Sequence, residues 1–265
     1  MTWFHLPGDA GAGTVALLVL AALVAGWVDA VVGGGGLVQL PALLLGLPAA
    51  TPAQVLATNK LSSIAGTATA ALTYLRRVRP DPGTAAPMAI SALFGAMAGA
   101  ASATLLPQRV FRPLVLVLLV LVAVYTWRRP ELGRVNDPHP DRRRHRVVAL
   151  GAGLGIGFYD GIFGPGTGSF LVFVLVGLLG YGFLEASATA KITNLATNLG
   201  ALVVFVPQGA PLWRLGLLMA VANVAGGWAG ARTAAARGSG FVRVVFLVVV
   251  AVLVLRLGWD VAHGR

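Results

Sequence analysis

The sequence predicts an all-α polytopic membrane protein made of two homologous, inverted repeats of about 131 residues, with about 8–10 membrane helices in all. Three observations carry this expectation. The composition is strongly apolar, the arginines cluster between apolar runs, and a gapless internal repeat puts a glycine-rich break at the same place in each half. Of the 265 residues, 57% are hydrophobic and 11% are charged; soluble domains carry roughly 25% charged residues. At a mean hydropathy of +0.82 the chain has too little polar surface to cover a globule in water. Its expected solvent is lipid.

The net charge of +11 would suggest nucleic acid in a soluble protein. Here Arg76, Arg77 and Arg79, then Arg128 and Arg129, then Arg142 to Arg144 with Arg146 lie between apolar spans. That is the pattern of cytoplasmic loops, and no nucleic-acid partner is expected. Cysteine is absent, which excludes a disulfide framework and thiolate metal sites. No metal and no cofactor is called for. No Lys or Arg lies in residues 1–12, so the first apolar run is expected to be a retained helix and not a cleaved signal peptide.

Taken in order, stretches of spanning length fall near 13–32, 53–75, 84–106, 110–127, 185–206, 212–235 and 241–258. Segments 37–47 and 168–181 are too short to span. Each follows a glycine-rich break: Gly33, Gly34, Gly35 and Gly36 in one case, Gly164-Pro165-Gly166-Thr167-Gly168 in the other. The second break also truncates a helix expected to start near Val147. Glycine runs and Gly-Pro interrupt a helix. Non-helical backbone at membrane depth is tolerated only where it is buried in protein or lines a polar cavity. Paired breaks of this kind, helix interruptions or re-entrant segments, are the sequence pointer to a transport site.

Shifting the sequence by 131 residues puts Gly26 on Gly157, Asp29 on Asp160, Gly33 on Gly164, Gly35 on Gly166, Thr58 on Thr189 and Lys60 on Lys191. In so glycine-rich a chain the matched aspartates and lysines carry the information. Residues 1–134 form the expected first repeat and 135–265 the second, joined in one membrane domain. The linker 128–146, with seven arginines, is expected to be cytoplasmic, and so is 76–82 with three. The counterpart of the latter, 207–213, has no Lys or Arg, while 232–243 has Arg232, Arg237 and Arg243. Arginine changes sides between the halves, hence the inverted arrangement with both termini outside.

Against 18 arginines there are two lysines, Lys60 and Lys191, both in apolar segments and related by the repeat. A charge at membrane depth costs about 2.5–3.5 kcal/mol on insertion scales and is read first as functional. Residues at i, i+3 and i+7 share a helix face. Lys60 therefore heads a stripe with Ser63 and Thr67, with Asn59 beside it, and Lys191 heads one with Asn194 and Asn198. The competing interpretation is structural: the lysines pair with Asp29 and Asp160, the other ionisable residues within apolar segments. The two roles are compatible. Gly95, Gly99, Gly226 and Gly230 are assigned to close helix packing.

Helices that start after glycine-rich turns present free N–H groups and the positive end of their dipole, which suits an anion. The helices expected near Leu37 and Gly168 do so in both halves. Thr167 and Ser169 would add hydroxyls, and Gln39 an amide. No Gly-Lys-Ser/Thr follows the second break, so a nucleotide site is not expected.

The run Asp29-Ala-Val-Val-Gly-Gly-Gly-Gly-Leu-Val-Gln-Leu-Pro41, followed by Ala57-Thr-Asn-Lys60, resembles the TauE/SafE sulfite exporter family. The second half, Asp160-Gly-Ile-Phe-Gly-Pro-Gly-Thr-Gly168 with Ala190-Lys191-Ile-Thr-Asn194, is similar to that family's second repeat. The resemblance implies a multi-pass carrier in the plasma (inner) membrane of a prokaryote, exporting sulfite, an organosulfonate or a related small oxyanion. The substrate-binding set to be tested is Gly33, Gly34, Gly35, Gly36, Gln39, Asn59, Lys60, Ser63, Gly164, Gly166, Thr167, Lys191, Asn194 and Asn198. Asp29 and Asp160 are assigned to proton coupling or lysine pairing. The expected partners are the small anion and the lipid bilayer, with the oligomeric state left open. Two alternatives stand beside the carrier. One is an anion channel of the same architecture. The other is an intramembrane aspartyl protease using Asp29 and Asp160, which lacks the Gly-x-Gly-Asp arrangement of such enzymes and has lysines to suppress shared-proton chemistry.

Overall fold

In the computed structural model, residues 11–103, 138 and 141–262 are described. Among them the regular structure is helical. Helix α1 is Ala12–Val32, α2 Gly35–Gly46, α3 Pro52–Leu75 and α4 Pro82–Ser102. The second half follows with α5 Arg142–Ile162, α6 Thr167–Leu179, α7 Phe183–Phe205 and α8 Trp213–Ala262. The span expected at 110–127 and most of the 128–146 linker lie outside the described residues.

Local signals explain most of the boundaries. Thr51 and Gln54 form a capping box at the start of α3, with Pro52 in the first turn. Asp81 caps α4 by accepting from the Gly83 N–H, and Asp141 caps α5 by accepting from Arg143 and Arg144. The Asp141 cap corrects one expectation: this helix starts at Arg142, five residues before Val147. The expected spans 212–235 and 241–258 are two arms of one element, bent where Gly238 takes φ 73 and ψ −172.

By length and composition alone, α1 and α4 can cross a membrane, with mean hydropathy 2.5 and 1.4. Helices α3 and α7 are as long but carry the lysine stripes. Their polarity faces inward. Thr58, Asn59, Lys60, Ser62 and Thr67 of α3 are buried, as are Thr189, Lys191, Thr193, Asn194, Thr197 and Asn198 of α7. The outer surface is apolar instead: Leu17 is 68% exposed, Leu45 79% and Val221 73%. A chain that hides its amides and ammoniums and shows leucine outward is built for lipid.

Close packing fixes the frame. A methyl group added at Gly95 would lie 2.3 Å from the Leu154 carbonyl oxygen, and one at Gly99 2.1 Å from that of Phe158. The same contacts recur 131 residues on with the halves exchanged, Gly226 meeting the Leu23 oxygen at 2.0 Å and Gly230 that of Trp27 at 2.6 Å. These glycines let α4 lie against α5, and α8 against α1, at backbone contact. The short α2 and α6, of 12 and 13 residues, are about 18 and 20 Å long by helical rise, well under a bilayer core of roughly 30 Å.

Candidate functional site

The two glycine-rich breaks meet. Gly33 ends α1 in the left-handed conformation, φ 78, and its N–H closes on the Asp29 carbonyl. A methyl group there would lie 2.2 Å from the Gly168 carbonyl carbon; one at Gly168 would lie 2.4 Å from the Gly33 Cα. Only bare backbone allows this approach. It is sewn together by Ser169, whose N–H donates to the Gly33 carbonyl at 3.3 Å and whose hydroxyl donates to the Val32 carbonyl at 2.8 Å. Ser169 is thereby a clamp between the breaks, so neither its N–H nor its hydroxyl is free for an anion. On the other side of the junction, Gly36 faces Gly164 and Pro165. The second break has two left-handed glycines, Gly164 and Gly166, and Tyr159 donates to the Pro165 carbonyl at 2.7 Å.

Both lysines are buried at this junction, and each is paired with an aspartate of the opposite half. Lys60 of α3 lies 2.5 Å from Asp160 of α5, with exposures of 2% and 1%. Lys191 of α7 lies 2.8 Å from Asp29 of α1, with exposures of 1% and 15%. A hydroxyl supports each carboxylate: Thr167 donates to Asp160 at 2.6 Å and Thr67 to Asp29 at 3.3 Å. Gly164 leaves room for the first pair, since a Cβ there would stand 3.0 Å from the Lys60 ammonium and 3.2 Å from Asp160.

Between them lies a small cavity lined by Asp29, Gly33, Gly36, Asn59, Lys60, Ser63, Asp160, Gly164, Thr167, Gly168, Asn194 and Asn198. Its free volume of about 20 Å³ holds about one water. Of the polar stripes read from helical spacing, Asn59, Lys60 and Ser63 of one and Asn194 and Asn198 of the other face this space, while Thr67 stands behind Asp29. Gly34, Gly35, Gln39, Gly166 and Lys191 do not line it. Gly35 packs on Asp29 and Ala25, and Gly34 and Gly166 are the N-caps of α2 and α6. Lys191 reaches the cavity only through Asp29. The Gln39 amide donates to the Asn59 carbonyl at 3.4 Å, and its oxygen accepts from Asn223 at 3.0 Å and from Ser62 at 3.5 Å. It belongs to a polar tie between α2, α3 and α8.

Two residues at the junction are not among those expected from the sequence: Gly168, expected only to start a helix, and Asn223, whose one signal is that it is a lone amide in the apolar run 212–235. Asn223 also donates to the Ala22 carbonyl at 3.0 Å.

Residues 18–257 match the family described as Sulfite exporter TauE/SafE. The chain is 40% identical over 250 residues to a probable membrane transporter protein, ORF9, of Sinorhizobium sp, covering 94% of each chain. It is 33% identical over 252 residues to the probable membrane transporter protein YfcA of Escherichia coli K12, covering 94% of this chain and 91% of the relative. A probable membrane transporter protein of Haemophilus influenzae is 30% identical over 253 residues, at 95% and 97% coverage. No solved structure matches.

Proposed function

This chain belongs to the sulfite exporter TauE/SafE family, and we propose that it carries a small sulfur oxyanion, sulfite or an organosulfonate, out of the cell through the junction of its two breaks. It is a membrane transporter and not an enzyme, as its relatives are named. The observation that carries the substrate reading is the convergence of both breaks, polar residues of both stripes and the Lys60 ammonium on one small cavity, with the Lys191 pair at its edge. A trigonal or tetrahedral oxyanion has several acceptor oxygens and one or two charges. Lys60 and Lys191 supply charge-assisted hydrogen bonds, while Asn59, Ser63, Thr167, Asn194 and Asn198 supply neutral donors. The glycines Gly33, Gly36 and Gly164 let backbone approach the ligand. Room for about one water favours a carrier over a standing channel, since an oxyanion enters only after the site opens.

In this reading the protein is a multi-pass component of a prokaryotic plasma (inner) membrane, with repeats 1–134 and 135–265 inverted about the site. The arginine asymmetry supports inversion. Single cysteines at Asp137→Cys and at the exposed Gln208→Cys are expected to label from opposite sides of the membrane; labelling from the same side makes the repeats parallel.

The substrate role is tested by uptake of radiolabelled sulfite and a sulfonate into proteoliposomes. Losing one charge-assisted hydrogen bond, worth roughly 1.5–3 kcal/mol, weakens binding by about 10- to 150-fold. Lys60→Ala and Lys191→Ala are expected to do so, with Lys→Arg milder or equal. The double changes Lys60→Ala with Asp160→Asn, and Lys191→Ala with Asp29→Asn, remove each pair without leaving a lone charge. Near wild-type flux in these doubles would reduce the lysines to structural partners and overturn their role.

A further inference from the structure

We infer that Asp29 and Asp160 are resident anions which the transported anion must displace, so that anion binding takes up protons at these two carboxylates. The inference rests on the substrate reading above and extends it to a second ligand, the proton.

Each lysine is already satisfied. Lys60 holds Asp160 at 2.5 Å and Lys191 holds Asp29 at 2.8 Å, both ammoniums being buried. An incoming oxyanion therefore meets no free cation in the cavity, and with the pairs closed the space holds about one water. To bind, it has to take an ammonium from a carboxylate. A displaced carboxylate would then be a buried charge without a counter-ion, the arrangement proteins avoid by changing protonation state. A proton from the aqueous side to which the site is open, bound on the displaced carboxylate, removes that charge.

The surroundings accept a neutral carboxylic acid without rearrangement. Asp160 has the Thr167 hydroxyl at 2.6 Å and Asp29 the Thr67 hydroxyl at 3.3 Å. A hydroxyl donates to a carboxylate or accepts from a carboxylic acid with equal ease. The groups facing Asp160 are Lys60 from α3, Thr167 from α6 and the neighbouring Tyr159, whose phenol is engaged by the Pro165 carbonyl. Those facing Asp29 are Lys191 from α7, Thr67 from α3 and, farther off, Tyr74 of α3, whose phenol donates to the Ala30 carbonyl. Among the described residues no further charged side chain lines the cavity. These two carboxylates are the places for the proton.

Titration calorimetry of the purified full chain with sodium sulfite, in buffers of different protonation heat, counts protons taken up on binding once the salt's own protonation is subtracted. The expected count is about one for each lysine the anion engages. The count is expected to fall by about one in Asp29→Asn and in Asp160→Asn, where a neutral amide leaves the lysine available. The ratio of wild-type to variant affinity cancels the titration of sulfite itself. That ratio is expected to fall with rising pH by up to about tenfold per pH unit for each coupled proton. If the variants do not fold, the wild-type count decides alone. Saturable sulfite binding with no proton uptake beyond the salt's own overturns the proton linkage and leaves the substrate reading standing. An absence of saturable sulfite binding overturns the substrate reading and this one with it.

Discussion

The two breaks perform one backbone manoeuvre with different side chains. In the first, a single left-handed glycine, Gly33, turns the chain, and the break offers no hydroxyl of its own. Support for Asp29 comes from Thr67 on the neighbouring α3, and α2 is held by the Gln39–Asn223 tie. In the second, Gly164 and Gly166 are both left-handed, and Thr167 within the break supports Asp160. Phe170 stands where the first half has Gln39, and Ala92 where the second half has Asn223. The two ion pairs differ to match, one sealed on both partners and the other with Asp29 15% exposed. What the halves share is a left-handed glycine at the break, Gly33 and Gly164, and the charged pair beside it; what they do not share is the means of holding them in place.

The backbone contact between the two breaks is expected to be the least tolerant of change. Gly33→Ala or Gly168→Ala forces a methyl group into backbone at 2.2–2.4 Å, and Gly33 also loses a favoured φ. The expected cost exceeds about 4 kcal/mol, seen as loss of monodisperse protein in detergent. Gly36→Ala meets its nearest atom at 3.3 Å and is expected to fold. Equal tolerance at Gly33 and Gly36 would mean that the junction yields freely.

The ion pairs are expected to rank next, and unequally. Asp160→Asn strands Lys60 in a sealed site, at about 3–5 kcal/mol. Asp29→Asn strands the equally buried Lys191, but beside a position that water reaches, Asp29 being 15% exposed, and is therefore expected to cost less. Thermal melting of the two variants side by side checks the order, and a reversal would make the exposure difference irrelevant. A smaller effect is expected for Asn223→Ala, which leaves the Ala22 carbonyl without its Asn223 donor and the Gln39 oxygen with only its longer Ser62 bond. About 1–3 kcal/mol is the scale for such a loss. Its counterpart, Ala92→Gly, breaks no tie and is expected to move melting less.

The smallest effect lies at the arginine-bearing end of the molecule. There Asp81, Thr84, His145 and Tyr181 form a cluster: Thr84 donates to Asp81 at 2.9 Å, His145 lies 2.8 Å from the Thr84 hydroxyl, and Tyr181 lies 3.4 Å from Asp81. The position 131 residues beyond Asp81 is Leu212, so the corresponding turn before α8 has no carboxylate at that place. Burial alone would raise the Asp81 pKa, but the bonds from Thr84, Gly83 and Tyr181, together with His145, outweigh it and hold the value below the ordinary carboxylate range. Burial pushes the Tyr181 phenol up to about 12. A depressed carboxylate contributes stability above its unfolded pKa and loses it as pH falls through the folded value. Melting of the wild type is therefore expected to decline slightly on acidification through that range, and Asp81→Asn to flatten the decline. An unchanged slope would remove Asp81 from the account.

The fold was legible where one residue type had one physical use. Paired aspartates and lysines in apolar runs point to a 131-residue repeat, and i, i+3, i+7 spacing puts Ser63, Asn194 and Asn198 on one face each, where the structure has them lining the cavity. What spacing could not reveal was partner choice. Asp29 and Lys60 belong to the same half, yet each pairs with the other half, because close packing of α4 on α5 and α8 on α1 interleaves the halves. Gln39 and Ser169 carry polar atoms near a break, which suits an anion, but spacing does not reveal that both tie helices together in the structure. The start of α5 is hidden in the sequence because four arginines among residues 142–146 have the composition of a linker, although Asp141 caps them into a helix.

The two ion pairs sum to zero charge. If the site is that of the proposed carrier, turning it empty from one side of the membrane to the other moves no net charge from the site through the electric field, and the return step does not sense the membrane voltage. Each uncompensated charge would add about 2.3 kcal/mol per 100 mV of bias. Neutralising either aspartate alone leaves a net positive site. In such a variant a negative-inside potential would draw the empty site inward, and turnover would acquire a dependence on voltage that the wild-type pairs cancel.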